Sequence, residues 1–170
     1  MVIAMMQKTK QFTVRDLMQR NVFTVQPNQT IFSVSVLMAS KNIGAIPVVK
    51  EDGTFVGIIT DRDIVTRCNA LGKDPNRTKV CECLTANPTR TVPSHLIADA
   101  VKLMSDFGTR RLPVVENDKL VGIISIADIA KASAFCPNEK HPDETCILID
   151  VAKELQKSSH LEHSCISCHL

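Results

Sequence analysis

An internal repeat is the feature of this sequence that most constrains its fold. The segment Val56–Asp63 (VGIITDRD) returns as Val121–Asp128 (VGIISIAD), and the residues upstream of each copy return with it. Pro47–Val49 matches Pro113–Val115 at a displacement of 66 residues, which falls to 65 after one residue is lost from the turn that follows. Turns tolerate such deletions best. The chain is therefore predicted to contain two copies of one structural unit.

Each copy has the pattern of a small mixed unit of helices and strands. The run Val22–Val25 predicts a first strand, and apolar residues at spacings of three and four predict a helix over 30–41. The β-rich runs Ile46–Val49 and Thr54–Ile59 flank Asp52-Gly53, a strong hairpin signal. A unit of this size is marginal alone. The predicted fold is α+β, with two β-α-β-β-α repeats related by a pseudo-twofold axis, small sheets packed together and helices outside.

Composition narrows the class of protein. Of 170 residues, 44% are hydrophobic, which is enough to form a core, but Trp and Tyr are absent and the formal net charge is only +2. Few aromatic platforms and no concentrated basic stripe argue against nucleic acid as a partner. No export signal or membrane-length apolar run appears, so we predict a cytoplasmic protein without a membrane partner. The predicted layout is an arm (1–12), two repeats (13–74 and 75–134) and a C-terminal tail (135–170).

A hydroxyl and a carboxylate follow the apolar strand in both repeats. Thr60 precedes Asp63 by three residues, and Ser125 precedes Asp128 by the same spacing. One interpretation is a helix N-cap, in which the acid also favours the positive end of the helix dipole. The other is a pair that binds the hydroxyls of a ribose, beside a helix N-terminus that suits phosphate. Both can hold together, because one carboxylate oxygen can cap while the other faces a ligand.

With these two motifs in register, residues 13–134 resemble a tandem pair of cystathionine-β-synthase (CBS) domains of the stand-alone Bateman-module type. The resemblance rests on Ile46–Val49, its counterpart Leu112–Val115, and Gly-x-x-Thr/Ser-x-x-Asp in both halves. It implies a non-catalytic regulatory module that senses AMP, ADP or ATP, or else S-adenosylmethionine or NADH, in the cleft between repeats. It also implies a homodimer that signals to an unidentified downstream protein. The residues implied for the ribose are Thr60, Asp63, Ser125 and Asp128.

Catalytic motifs are missing from the sequence. It has no Ser-His-Asp order, Walker loop or dinucleotide glycine fingerprint, and no evident nucleophile for hydrolysis. We therefore expect a protein that is not an enzyme.

Basic residues near the motifs are candidates for phosphate binding. Arg110 and Arg111 precede the Leu112 strand, where the resemblance implies phosphate contacts, and Arg62 lies within the first motif. An Arg fork binds phosphate in bidentate fashion. The first repeat has Gly44–Ala45 at the matching positions, so the second repeat is expected to dominate the phosphate contacts. The alternative is a solvated helix end in which the arginines pair with Asp106.

The adenine is expected to lie against apolar strand ends. This family-level assignment has an alternative, which is ordinary core packing of the same side chains. The implied adenine residues are Val22, Phe23, Ile46, Pro88, Thr89 and Leu112.

The tail differs from the rest of the chain by its density of soft metal ligands. The Cys165-x-x-Cys168 spacing fits a zinc site, with Cys136 and Cys146 as the other two thiolates. Two alternatives are a c-type haem motif and a docking helix over Glu144–Lys157 followed by incidental thiols. A metal site would favour a different function, a metal-binding or redox protein whose repeats are a scaffold. The tail's cysteines and histidines are Cys136, His141, Cys146, His160, His163, Cys165, Cys168 and His169.

Overall fold

The computed structural model describes residues 12–134, which fold into two repeats of helices and small antiparallel sheets. The predicted α+β class and its duplication are confirmed. The helices are α1 (Val14–Leu17), α2 (Ile31–Lys41), α3 (Asp61–Arg67), α4 (Ile97–Asp106) and α5 (Ile126–Ala134). The strands are β1 (Ala45–Val49), β2 (Phe55–Thr60), β3 (Thr85–Ala86), β4 (Arg111–Glu116) and β5 (Lys119–Ser125). Short 3₁₀ turns occupy Asn69–Leu71 and Val80–Glu82.

The predicted first strand, Val22–Val25, is wrong except at its last residue. Val25 alone forms a bridge, parallel to Val48, with its N–H donating to the Pro47 carbonyl at 3.2 Å. Its carbonyl accepts from the Val49 N–H at 2.9 Å. The β-branched composition of the run favours a strand, but a strand also needs a partner along its length. Phe23, in the middle of the run, is 48% exposed.

The two hairpins show where the repeats differ in length. In the first, β1 and β2 pair antiparallel with Ile46 opposite Ile59, and Gly53 takes a φ of +80° in the turn. In the second, Asn117 and Asp118 both have positive φ, as a tight two-residue turn between right-twisted strands requires. The deletion predicted between the repeats therefore falls in a connecting turn, where it leaves both strand pairs intact.

The turn of the first hairpin is held by a carboxylate. Asp52 accepts from the N–H of Thr54 at 2.9 Å and from its hydroxyl at 2.8 Å, and lies 3.1 Å from Lys119 Nζ. These contacts, the Thr54 N–H first among them, stabilise the charged form and lower the pKa of Asp52 to about 2. Asp52 therefore stays ionised across the range in which most proteins are folded.

The described residues form two compact units that do not follow the sequence repeats. One unit contains 12–18, 93–112 and 124–134, and the other contains 19–92 and 113–123. The reason is that the segment at the start of each repeat pairs with the other repeat, an arrangement that we call the exchange of starting segments. In the first unit the Val14 N–H donates to the His95 carbonyl at 2.8 Å, and in the second the Val80 N–H donates to the Gln29 carbonyl at 2.9 Å. Val14 and Val80 occupy matching positions 66 residues apart, as do Gln29 and His95, so the exchange is reciprocal.

Each unit buries aliphatic side chains from its own helices and strands. The second unit has a continuous cluster that includes Ile31, Val34, Ile46, Val48, Ile59 and Val80, each 0% exposed. The first unit buries Val14, Ile97, Ala100, Met104, Leu112, Ile124 and Ile129. Within residues 12–134, no helix has both the length and the apolar character needed to cross a bilayer.

Gly57 allows β3 to approach β2 closely, which leads to a first prediction. A Cβ at position 57 would collide with the Thr85 carbonyl oxygen and lie 2.7 Å from Leu84 Cδ1. Because the obstacle is largely backbone, Gly57→Ala is expected to lower the free energy of unfolding by about 1–3 kcal/mol. Urea denaturation followed by circular dichroism measures this. An unchanged midpoint would show that β3 does not lie against β2 as described.

Candidate functional site

Thr60 and Asp63 cap helix α3 in the second unit. Asp63 Oδ2 accepts from the Thr60 N–H at 2.9 Å and from its hydroxyl at 2.6 Å. In return, the Asp63 N–H donates to Thr60 Oγ1 at 3.1 Å. This reciprocal arrangement is a capping box, which satisfies backbone donors that the helix leaves unpaired. The capping interpretation of the motif is therefore confirmed.

Ser125 and Asp128 form the same arrangement at the start of α5 in the first unit. Asp128 Oδ2 accepts from the Ser125 N–H at 2.9 Å and from its hydroxyl at 2.5 Å, while the Asp128 N–H lies 3.3 Å from Ser125 Oγ. The two motifs thus match in geometry as well as in sequence. Asp128 is half-buried, whereas Asp63 is buried, with 8% of its surface exposed.

Asp63 has two further partners that sequence reasoning missed. Its second oxygen, Oδ1, accepts from the Thr85 hydroxyl at 3.2 Å and lies 3.3 Å from Arg67 Nη1. Arg67 is four residues after Asp63 on α3, a spacing that favours ion pairs and could have indicated the contact. Thr85 is 22 residues away in sequence, and no local pattern points to it.

Arg110 lies beside the second motif. Its carbonyl accepts from the N–H of Ile126, the first residue of α5, at 3.1 Å. Both Arg110 and Arg111 are exposed, and within residues 12–134 neither forms an ion pair with Asp106. The structure therefore brings Arg110 to the same helix start as Ser125 and Asp128, inside one unit.

The matching helix start in the first repeat, that of α3, carries a negatively charged residue where α5 has none. The Gly44 carbonyl accepts from the Asp61 N–H at 3.1 Å, the same link as that between Arg110 and Ile126. A Cβ at Gly44 would lie only 2.8 Å from Asp61 Oδ2. The start of α3 thus presents an exposed carboxylate, with the exposed Arg62 next in sequence.

The residues predicted for adenine differ in accessibility. Ile46 and Leu112 are both 0% exposed and belong to the cores of their units. Phe23 is 48% exposed, with Lys41 Nζ 5.2 Å from its ring centroid. Val22, Pro88 and Thr89 are half-buried. Except for Leu112, all of these residues lie in the second unit.

The predicted metal ligands Cys136, Cys146, Cys165 and Cys168 lie outside the described residues. Within residues 12–134, no group of three or more His, Cys, Asp or Glu side chains could hold a metal ion. Cys68 and Cys83 are buried in the core, and Cys81 is exposed. Burial raises the pKa of the Cys83 thiol, which disfavours the thiolate that a metal would need.

Comparison with known proteins supports the duplication. The family model described as CBS domain matches residues 14–69 and 80–134. The CBS domain-containing protein YhcV of Bacillus subtilis is 43% identical over 118 residues, which cover 69% of this chain and 83% of that protein.

Two similar solved structures contain adenosine compounds. The structure of CBSX2 in complex with AMP is 29% identical to this chain, with a TM-score of 0.65. The alignment covers 72% of this chain and 96% of the other. The CBS domain pair of MJ0100, solved with 5′-methylthioadenosine and S-adenosyl-L-methionine, is 27% identical with a TM-score of 0.64. That alignment covers 74% of this chain and 98% of the other.

A third similar structure contains metal. Hypoxic Response Protein I, solved with two coordinated zinc ions, is 33% identical with a TM-score of 0.66. The alignment covers 71% of this chain and 98% of that protein. Relatives with this fold thus differ in what they bind.

Proposed function

Because the chain belongs to the CBS-domain family, we propose that it is a regulatory, non-catalytic module that binds an adenosine-containing ligand, with AMP, ADP or ATP as the leading candidates. The observation that carries the proposal is the juxtaposition of Arg110 with the Ser125–Asp128 pair at the start of α5. The Arg110 backbone is joined to the helix start that carries the Ser125 hydroxyl and the Asp128 carboxylate, within one unit, which supports a site with all three residues.

The carboxylate suits a ribose. A carboxylate has about four acceptor positions, so Asp128 can keep its cap and also accept from sugar hydroxyls. Hydrogen bonds to an ionised acceptor are stronger than neutral ones. We therefore assign the ribose contacts to Asp128, with Ser125 positioning its carboxylate.

The arginines suit a phosphate. The N-terminus of α5 carries partial positive charge that favours anions, and Arg110 lies beside it with an exposed side chain. Arg111 follows at the first residue of β4. A guanidinium can bind two phosphate oxygens at once, which fixes orientation as well as adding charge. Arg62, in the first motif, is a further candidate for phosphate contact.

Regulation would follow from a difference in affinity. A ligand shifts a conformational equilibrium only by as much as it prefers one arrangement over another. We propose that a second copy of the chain or a downstream protein reads this shift. The adenine contacts with Val22, Phe23, Pro88 and Thr89, the homodimer and the cytoplasmic location remain predictions.

Thermal-shift measurements with AMP, ADP, ATP, S-adenosylmethionine and NADH test the proposal. A ligand at 100 times its dissociation constant adds about 2.7 kcal/mol of stability, which for a chain of this size raises Tm by roughly 5–10 °C. GTP, which shares the ribose and phosphates, is the control for the base. Stabilisation by none of the five, or equal stabilisation by GTP, would contradict an adenosine-specific module.

A metal-binding function is the second candidate, because the cysteine-rich tail and the zinc-containing relative both favour it. Elemental analysis of the same protein, purified without added metal, distinguishes the two. Stoichiometric zinc that is lost on changing Cys165 and Cys168 to Ser would support this candidate.

A further inference from the structure

We propose that two copies of the chain dimerise through the outward face of the first repeat alone, with α2 of one copy packed antiparallel to α2 of the other. Both α2 and its neighbour α3 belong to the second unit. The inference goes beyond the proposed function, because it uses none of the residues assigned to the adenosine ligand and needs no ligand.

The outward face of α2 carries no charge. Phe32 and Val36, one helical turn apart, are each more than half exposed. On α3, which contacts α2 and covers the same core cluster, Val65 is also more than half exposed. The other exposed residues of α2 before Lys41 are Ser33, Ala39 and Ser40. Exposed apolar side chains on two adjoining helices are typical of a contact surface, whereas single ones are common anywhere.

The second repeat shows that the fold itself does not require this apolar face. Inward-facing residues agree between the matching helices α2 and α4, as the buried Met38 and Met104 do. On α5, the exposed Ala130 stands where α3 has Val65. At the positions that match the exposed residues of α2, α4 has Ala98, Asp99, Lys102, Ser105 and Asp106, all of them exposed. One repeat thus presents a charged, hydrated face, and the other presents an apolar face at the same place in the fold.

The face of α2 is complementary to itself in size. Successive helical residues are about 100° apart, so the five exposed residues span an arc of about 120° centred on Val36. A twofold axis at Val36 places the large Phe32 of one copy against the small Ser40 of the other. The same axis pairs Ser33 with Ala39. A twofold contact requires such self-complementarity, and because none of the five residues is charged, two copies meet without repulsion.

Light scattering of the unliganded full chain at about 100 μM tests the inference, because even a small interface can reach a micromolar dissociation constant. We expect the mass of two chains for the wild type. Val36→Lys introduces the residue that α4 carries at the matching position, so that two lysines meet at the axis. It should raise the dissociation constant roughly 100-fold or more. Lys102→Glu, a charge change at the matching exposed position, is the control and should leave the dimer intact.

Mixing two charged variants tests the twofold axis itself. Val36→Glu is expected to be as monomeric as Val36→Lys, because like charges again face each other. An equimolar mixture of the two variants should regain the mass of two chains, since a lysine then faces a glutamate. Contact of residue 36 with another surface, such as the tail of the same chain or a different protein, would give no such rescue.

The outcomes decide between this face and the alternatives. A monomeric wild-type chain, a dimer that persists in Val36→Lys, or a mixture without rescue would overturn the inference. If the charged variants do not fold, Phe32→Ala decides, because alanine is the matching residue of α4. It should raise the dissociation constant roughly tenfold or more, and an unchanged value would overturn the interface.

The measurements also separate this inference from the proposed function, because no sample contains nucleotide. A monomeric chain that binds an adenosine compound would overturn the dimer and keep the function. A dimer that passes the mixing test but binds none of the adenosine compounds would do the reverse.

Discussion

Asp128→Ala is expected to weaken binding of the adenosine ligand by about 10- to 150-fold, or about 1.5–3 kcal/mol. The variant removes the ionised acceptor assigned to the ribose, while Arg110 and the start of α5 remain. Isothermal titration at protein concentrations well above the dissociation constant measures the change, with circular dichroism to verify that the variant is folded.

The same variant also loses a helix cap, so a matched control is needed. Asp16 provides one, because its Oδ2 accepts from the N–H of Thr13 at 2.8 Å and from its hydroxyl at 2.7 Å, as Asp128 does from Ser125. Both alanine variants should lose about 0.5–2 kcal/mol of stability. Only Asp128→Ala should lose affinity, and equal affinities in the two variants would remove the ribose assignment.

Ile46→Ala is expected to lower the free energy of unfolding by about 2–5 kcal/mol. Ile46 is 0% exposed within the cluster of the second unit, so truncation removes buried surface and leaves a cavity. Urea denaturation measures the loss. Ile46→Val, which removes one methyl group, should cost about 0.5–1.5 kcal/mol.

Phe23→Ala is the comparison for this prediction, because Phe23 was assigned to the same adenine surface but is exposed. The cation–π contact of Phe23 with Lys41 contributes no more than about 1 kcal/mol to the free energy of unfolding at such an exposed site, so Phe23→Ala should destabilise the protein less than Ile46→Ala. A small stability loss in Ile46→Ala, combined with weaker ligand binding, would instead make Ile46 a ligand contact and contradict its place in the core.

Much of the local structure could be predicted because it depends on short-range patterns. Thr60 and Asp63 are three residues apart, and that spacing is sufficient for the cap that forms. The periodic apolar residues of α2 and the Asp52-Gly53 turn likewise act through neighbours in sequence. The prediction of a strand over Val22–Val25 was wrong because β-strand propensity does not supply a partner strand, and in this run only Val25 pairs with another residue.

The rest depends on contacts between distant parts of the chain. The exchange of starting segments joins Val14 to His95 and Val80 to Gln29, which no periodicity in either segment indicates. Asp63 also contacts Arg67 and Thr85, and only the fold brings the second of these near. The two motifs are equivalent in sequence, whereas in the fold Asp63 is buried and Asp128 is half-buried.

A two-dimensional ¹⁵N NMR titration of the wild-type chain with AMP and ATP tests the central claim most directly. The largest amide shift changes are expected at Arg110, Arg111 and Ser125–Asp128. Saturable binding that leaves these amides unchanged, or no shift changes with either nucleotide, would contradict an adenosine site at the start of α5.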